Sequence, residues 1–275
     1  MLVGTMIAYF LLVLAIGVRA QRHASAESDF MLGGRRTGPW VAAVGAAASS
    51  SSAWTLLGVS GAAYAWGLSA LWLFPACVGG FCLNWFVMAP ALRAFGHEHQ
   101  GVSVPDILSR QADGHAHPLT RIYAAGLILL SMGAYVAAQY QGAGKTFSTV
   151  FEISAELAIV LGALCVFAYT MLGGFLAVSL TDTLQGFVMA LTSLLLPALA
   201  LWHVGGVSEL MATLREVTDG GYLTLSGPRT PILGIGFAAG LLGIGLGYPG
   251  QPHVIKYFLA MDSHPNSVSR ARTIA

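Results

Sequence analysis

Long apolar stretches dominate this sequence and constrain its fold more than any other feature. A helix that crosses a bilayer needs about 20 mostly apolar residues. Seven stretches meet that requirement, at residues 1–19, 39–66, 68–92, 121–144, 154–173, 178–203 and 231–260. Charged residues make up only 9% of the 275 residues, against roughly 25% in an ordinary soluble domain. The sequence therefore predicts an all-α polytopic membrane protein.

Basic residues are unevenly distributed among the loops between these stretches. The segments after the first, third and seventh stretches, counted with the adjoining ends of the stretches, hold ten of them, at Arg19, Arg22, Arg35, Arg36, Arg93, Arg110, Arg121, Lys256, Arg270 and Arg272. The alternate loops hold three, at Lys145, Arg215 and Arg229. Cytoplasmic loops collect Lys and Arg. We therefore expect a multi-pass protein of the cell (inner) membrane with its N-terminus outside and its C-terminus inside.

Two of the stretches are interrupted at mid-depth. The second contains "AAASSSSAWTLLG" at residues 46–58, and the seventh contains "GLLGIGLGYPGQPHV" at residues 240–254. Five stretches separate the starting points of this pair. If stretches two to six form one repeat, stretch seven therefore opens the next repeat at the corresponding position. Paired interruptions of this kind indicate the midplane binding site of a transporter.

Each interruption also has a simpler explanation. Serine and alanine let membrane helices pack closely, whereas a broken helix at Ser49–Ser52 would offer hydroxyl and carbonyl oxygens to a hard cation. The seventh stretch is either a proline kink or a lined site that includes Tyr248, Gln251 and His253. Both alternatives stay open on the residues alone.

Asp182 and the cysteines complete the candidate residues. A carboxylate in or near a membrane indicates function by default, but Asp182 beside Ser179, Thr181 and Thr183 is also typical of an ordinary helix N-cap. The three cysteines lie in apolar runs without CxxC spacing, and we expect small buried hydrophobic side chains at Cys77, Cys82 and Cys165.

Three long motifs resemble the sodium:solute symporter family, most nearly its sodium/proline symporter branch. They are "FMLGGRRTGPWVAAVGAAASSSSAWTLLGVSGAAYAWGLS", "AYTMLGGFLAVSLTDTLQGFVMA" and "GLGYPGQPHVIKYFLAMDSHPNSVSRARTIA". The resemblance implies a thirteen-helix transporter built on two inverted five-helix repeats, here truncated after the first helix of the second repeat. The expected divisions are a first helix and inside loop, a first repeat, an outside loop and the opening helix of the second repeat, at 1–38, 39–203, 204–230 and 231–275.

The resemblance also implies roles for individual residues. It places sodium on the backbone carbonyls of Ala48 and Ser51, with Ser52 important for sodium and Asp182 implicated in ion coupling. Ser50, also assigned to the sodium site, stands where the proline branch has an aspartate. Solute-lining positions are Trp54, Tyr135, Tyr248 and Pro252, to which the lined site in the seventh stretch adds Gln251. Ile244 stands where the branch has a tryptophan, which favours an altered solute.

The function implied is sodium-coupled symport of a small organic solute, an amino acid such as proline. No enzyme activity, no cofactor apart from the coupling sodium ion and no nucleic-acid partner are expected; the partners are solute, sodium and the lipid bilayer. The alternative is a transporter-like solute-sensing membrane module of a histidine kinase, in which binding would signal rather than translocate.

Overall fold

The protein is helical throughout the part of the chain that the structure describes. The computed structural model describes residues 2–22, 27–99, 103–110 and 115–275, and these contain helices and two isolated β-bridges but no strand. The α-helices, in chain order, are α1 Leu2–Gln21, α2 Glu27–Leu32, α3 Pro39–Ser50, α4 Val59–Trp66, α5 Leu73–Leu83, α6 Ala89–His99, α7 Val104–Ser109, α8 Pro118–Phe151, α9 Ala155–Val204, α10 Val207–Val217, α11 Pro231–Gly243, α12 Pro252–Leu259 and α13 Ser267–Ile274. The all-α prediction is confirmed.

Fewer continuous spans are present than the seven predicted. Over the described residues, five helical stretches are long and apolar enough to cross a membrane: Val3–Gln21, Trp54–His99, Pro118–Phe151, Ala155–Val204 and Pro231–Gly250. The counts differ because two of these stretches are 46 and 50 residues long, about twice what a bilayer requires. Each of the two joins a pair of predicted spans. In addition, α3 has only 12 residues and is separated from α4 by a break.

Glycines turn the chain inside both of the long stretches. Gly67 lies between the second and third predicted spans, with φ 59° and ψ −140°. Gly174 lies between the fifth and sixth, with φ 54° and ψ −145°. This backbone region is open essentially only to glycine. A Cβ at Gly174 would also lie 2.5 Å from the Phe30 carbonyl oxygen, so conformation and close approach both require glycine there.

The most buried helix is α12, which follows the second interruption. The side chains of Val254, Tyr257, Phe258 and Leu259 are at most 1% exposed. Small residues of α3, namely Ala42, Ala43 and Ala46, belong to the same buried cluster, and their size permits close helix packing. The core of the protein therefore joins the two interrupted spans.

Polar contacts tie the loops to this core. The Thr37 N–H donates to the Ala260 carbonyl and the Asp262 N–H donates to the Thr37 carbonyl, each at 3.1 Å. The Arg93 guanidinium donates to the carbonyls of Asp262 and His264. The Thr37 bonds connect the segment before α3 to the end of α12, and the Arg93 bonds connect α6 to the segment that follows α12. The two interrupted spans are therefore held together at this point.

The loop between α10 and α11 is fastened to the turn at Gly67. The Leu68 N–H donates to the Tyr222 carbonyl at 2.8 Å, and the Tyr222 hydroxyl donates to the carbonyls of Ala63 and Tyr64. The amphipathic helix α10 itself spans Val207–Val217, the stretch "VSELMATLREV". This loop therefore packs on the helices rather than standing free of them.

Candidate functional site

The first break lies immediately after α3. Ser51 is extended, with φ −81° and ψ 142°, and helical structure resumes as a π-helical turn at Trp54–Gly58 that leads into α4. The Ser52 hydroxyl accepts the Trp54 N–H at 3.2 Å, and the Ser52 N–H donates to the Thr55 hydroxyl at 3.2 Å. The serine run thus contains a genuine helix break, at which Ser52 hydrogen-bonds locally to the chain beyond it, and is more than a packing surface.

The hydroxyls of the run point back along α3. Both Ser50 and Ser51 donate to the Ala47 carbonyl, at 2.8 and 3.2 Å. The Ser51 N–H donates to the Ala48 carbonyl at 3.0 Å. Ala48 and Ser51 line a cavity of about 380 Å³ between α3 and α9, together with Ser193 of α9. The atoms available here as metal ligands are oxygens, which suit a hard cation.

Helix α8 supplies partners for this break. The Gln139 side-chain carbonyl accepts the Ala53 N–H at 2.7 Å, which satisfies one of the backbone donors that the break exposes. The Tyr135 side chain of α8 also lies beside Ser52. Gln139 had not been singled out from the sequence, although a glutamine inside an apolar span is a signal that could have identified it.

The second break separates α11 from α12. A 3₁₀ turn spans Ile244–Gly250, Gln251 is extended with φ −82° and ψ 107°, and Pro252 begins α12. The interpretation as a simple kink is therefore wrong, because a helix ends and another starts. The Tyr248 hydroxyl donates to the Cys77 sulfur at 3.2 Å, and the Asn84 amide donates to the Tyr248 carbonyl at 3.4 Å.

The cysteines do not behave as expected. Cys77 and Cys165 are half-buried and Cys82 is exposed, so the prediction of three buried side chains is wrong. An apolar run in a membrane helix does not require burial within protein, because lipid also surrounds apolar side chains. Cys77 is instead a neighbour of the second break through Tyr248.

Several buried polar atoms around the second break lack partners in the described part of the chain. They are the Asn84 side-chain carbonyl, the Gln251 side-chain carbonyl and both ring nitrogens of His253. Asn84 is only 1% exposed. Buried polar groups are normally hydrogen-bonded, so this cluster has unused capacity for a polar ligand or water.

Tyr135 brings the two breaks together. Its side chain lies beside Ser52 at the first break, and its ring stacks on His253 at the second, with centroids 5.4 Å apart and planes at 19°. Of the remaining predicted solute residues, Tyr248, Gln251 and Pro252 form the second break itself. Trp54 is 50% exposed.

Asp182 lies away from any helix end. It sits within the second half of α9, eight residues beyond the turn at Gly174, so the N-cap interpretation is wrong. Its carboxylate accepts the Tyr257 hydroxyl at 2.7 Å. Asp182 lines a second cavity, also of about 380 Å³, with Ser49, Pro252 and His253. Ala48 and Ser51 line the first cavity, so the predicted sodium residues are divided between the two.

Among the described residues, no group of three or more His, Cys, Asp or Glu side chains could hold a metal ion. A transition-metal site built from such side chains is therefore not found in those ranges. The oxygen donors at the first break remain the candidate cation ligands.

Comparison with known proteins identifies close relatives over nearly the whole chain. The osmoregulated proline transporter OpuE of Bacillus subtilis is 36% identical over 92% of this chain and 50% of its own length. The sodium/proline symporter of Escherichia coli is 34% identical over 98% of this chain and 53% of its own length. The chain thus spans about half the length of the curated relatives it matches.

The same fold occurs in a solved structure. A Na⁺-coupled sialic acid symporter in a substrate-bound outward-open state superposes with a TM-score of 0.79 at 21% identity, over 98% of this chain and 55% of the other. At this sequence identity the similarity establishes the fold alone. That fold is the transporter fold built on inverted five-helix repeats. The family model described as "Sodium:solute symporter family" matches residues 30–275. The chain is accordingly a multi-pass membrane protein, and it belongs to the sodium:solute symporter family.

Proposed function

We propose that the protein carries out sodium-coupled symport of a small organic solute, an amino acid such as proline. The observation that carries this proposal is the position of Tyr135, whose side chain contacts both helix breaks. An ion site and a solute site that share one residue can be coupled energetically, and such coupling is reciprocal. The family membership and the proline-transporting relatives give the chemical class.

In this proposal sodium binds at the first break. The carbonyls of Ala48 and Ser51 are its principal ligands, and Ser50 and Ser52 hold the break open around it. The Ser50 hydroxyl supplies no net charge where the proline branch has a carboxylate, so we expect weaker sodium binding than an aspartate would give. Asp182 takes part in ion coupling from the neighbouring cavity.

The solute binds beside the second break. Trp54, Tyr135 and Tyr248 provide aromatic surface, and Pro252 fixes the start of α12. The unpartnered Gln251 carbonyl accepts a hydrogen bond from the solute, as an ammonium group would donate. Ile244 leaves a smaller side chain than the tryptophan of the proline branch, so the solute differs from proline or sits differently.

Transport follows from rocking one helix bundle against the rest around this midplane site. Residues 39–203 act as the first repeat and 231–275 as the start of the second; 1–38 and 204–230 are peripheral. The N-terminus is outside, in the cell (inner) membrane. The potential then favours inward sodium by about 2.3 kcal/mol per charge per 100 mV. The partners are solute, sodium and lipid, with no nucleic acid and no enzymatic step.

The competing function is a solute sensor attached to a histidine kinase. The relatives reported above are named as transporters and symporters, which favours the carrier.

The test is uptake by the whole protein, as its gene encodes it, in proteoliposomes. Labelled proline and a panel of amino acids and carboxylates are supplied with and without an inward sodium gradient at equal osmolarity. We expect at least one solute to accumulate only with the gradient. Uptake that is equal in sodium and potassium media would contradict the proposal.

A further inference from the structure

A cavity next to the two breaks is lined by charged side chains, unlike the rest of the site. We call it the Lys256 cavity; it is the second of the two cavities described above, with a volume of about 380 Å³, and it lies among α2, α3, α8, α9 and α12. Its polar lining residues are Ser49, Thr170, Asp182, His253, Lys256 and Tyr257. Pockets for small organic ligands start at about 300 Å³, so an amino acid or similar solute fits this volume.

Lys256 supplies the basic side chain of this cavity. It is half-buried, and within the described ranges its ammonium group has no hydrogen bond or ion pair. A buried charge is costly unless it is paired. The neighbouring residue His253 also has two buried ring nitrogens without partners. One wall of the cavity therefore offers a cation and an imidazole to a ligand.

Asp182 does not meet this need. Its carboxylate is engaged by the Tyr257 hydroxyl at 2.7 Å, and among the described residues it forms no ion pair with Lys256. The two charges nevertheless offset each other across the cavity. A cation at Asp182 would leave the cavity with a net positive charge, which favours an anionic group at Lys256.

We infer that Lys256 and His253 bind the carboxylate group of the transported solute in this cavity, at a second station next to the midplane site. This inference rests on the proposed function. An ammonium–carboxylate contact is a charge-assisted hydrogen bond, stronger than a neutral one. Sodium at the first break, with which Asp182 is coupled from this cavity, adds positive charge near the carboxylate and strengthens its contact, so ion and solute are coupled here as well.

The experiment measures ligand-induced stabilisation of the whole protein in detergent with sodium. Three ring compounds serve as probes: proline, cyclopentanecarboxylate and pyrrolidine, which carry both charged groups, the carboxylate alone and the amine alone. The variants are Lys256→Met, which keeps the apolar stem, and Lys256→Arg, which keeps the charge. Lys145→Met is the matched control, because Lys145 is exposed on α8.

We expect the wild type to be stabilised by proline and cyclopentanecarboxylate at lower concentrations than by pyrrolidine. Lys256→Met should weaken the binding of proline and cyclopentanecarboxylate roughly tenfold to hundredfold. Lys256→Arg and Lys145→Met should bind both compounds with affinities close to that of the wild type. A melting temperature of Lys256→Met near that of Lys256→Arg without ligand shows that the variant is folded.

Two outcomes would overturn the inference. One is equal carboxylate affinity in Lys256→Met and wild type; the other is a wild type that none of the carboxylate-bearing compounds in the uptake panel stabilises. Sodium-driven uptake is measured on the same preparation. Suppose that the wild type shows sodium-driven uptake of a solute, and that Lys256→Met binds carboxylates as tightly as the wild type. The Lys256 station is then wrong, while the symport proposal stands. If no solute in the panel responds to sodium, the symport proposal itself fails.

Discussion

Ser52 is the residue that holds the first break in shape. Its hydroxyl accepts the Trp54 N–H, and its N–H donates to Thr55. Ser52→Ala removes the hydrogen bond that the Ser52 hydroxyl accepts from the Trp54 N–H, which costs about 1 kcal/mol, or about fivefold in an equilibrium constant. We expect the half-saturating sodium concentration for uptake to rise by about that factor.

The control for this change is Ser60→Ala in α4. The Ser60 hydroxyl is exposed and only donates back to the Leu56 carbonyl at 2.6 Å, so its loss should leave the sodium requirement unchanged. An unchanged sodium requirement in Ser52→Ala, at equal protein in the membrane, would mean that the ion does not bind at this break.

The Tyr257 hydroxyl of α12 donates a hydrogen bond to the Asp182 carboxylate of α9, and removing this bond tests the role of the carboxylate. Tyr257→Phe removes the hydroxyl but keeps the ring that packs against Phe175. A hydrogen bond to a charged group contributes about 1.5–3 kcal/mol. We therefore expect a lower melting temperature together with a sodium requirement raised at least severalfold.

Tyr64→Phe provides the comparison, because the Tyr64 side chain is 85% exposed. It should match wild type in both measurements. If Tyr257→Phe lowers only the melting temperature and leaves the sodium requirement at the wild-type value, the bond is structural and Asp182 does not contribute to ion coupling.

At the scale of elements, the turn inside α9 depends on one backbone conformation. Gly174→Ala would strain a left-handed residue, at about 1–3 kcal/mol, and bring the new Cβ against the Phe30 carbonyl oxygen. We expect a clear fall in the melting temperature of the purified protein. Gly162→Ala on the same helix meets nothing within 4 Å and should not destabilise it. Equal melting temperatures for the two variants would contradict this role of Gly174.

Much of this element-scale structure could be predicted from sequence. The predicted boundaries near residues 67 and 174 coincide with glycine turns. They agree because the bilayer thickness limits the length of an apolar span, so the chain turns where that length is reached. The interruptions at residues 46–58 and 240–254 coincide with real breaks, since proline, glycine and serine release backbone groups locally.

The partners of the breaks could not be predicted in the same way. Gln139 and Tyr257 reach Ala53 and Asp182 across 86 and 75 positions of sequence, and only tertiary packing brings these groups together. Hydropathy also treats Cys77 as an apolar residue like its neighbours, although its sulfur accepts the Tyr248 hydroxyl. Site geometry depends on such long-range contacts, whereas spans depend on local composition.

At the scale of the whole molecule, the account requires that the two breaks act as one coupled unit. Tyr135 contacts both, and α12 is buried against α3. A change at the ion break therefore has a short path to the solute break. Coupled binding must be reciprocal: if sodium raises solute affinity by some factor, solute raises sodium affinity by the same factor.

The most direct measurement is equilibrium binding of the transported solute to the purified whole protein in sodium and in potassium at equal ionic strength. Coupling free energies are commonly about 1–3 kcal/mol, or roughly 5- to 150-fold in affinity. The account predicts a dissociation constant lower in sodium by a factor in that range, and a matching factor when sodium binding is measured with and without solute. The same dissociation constant in both salts would contradict it.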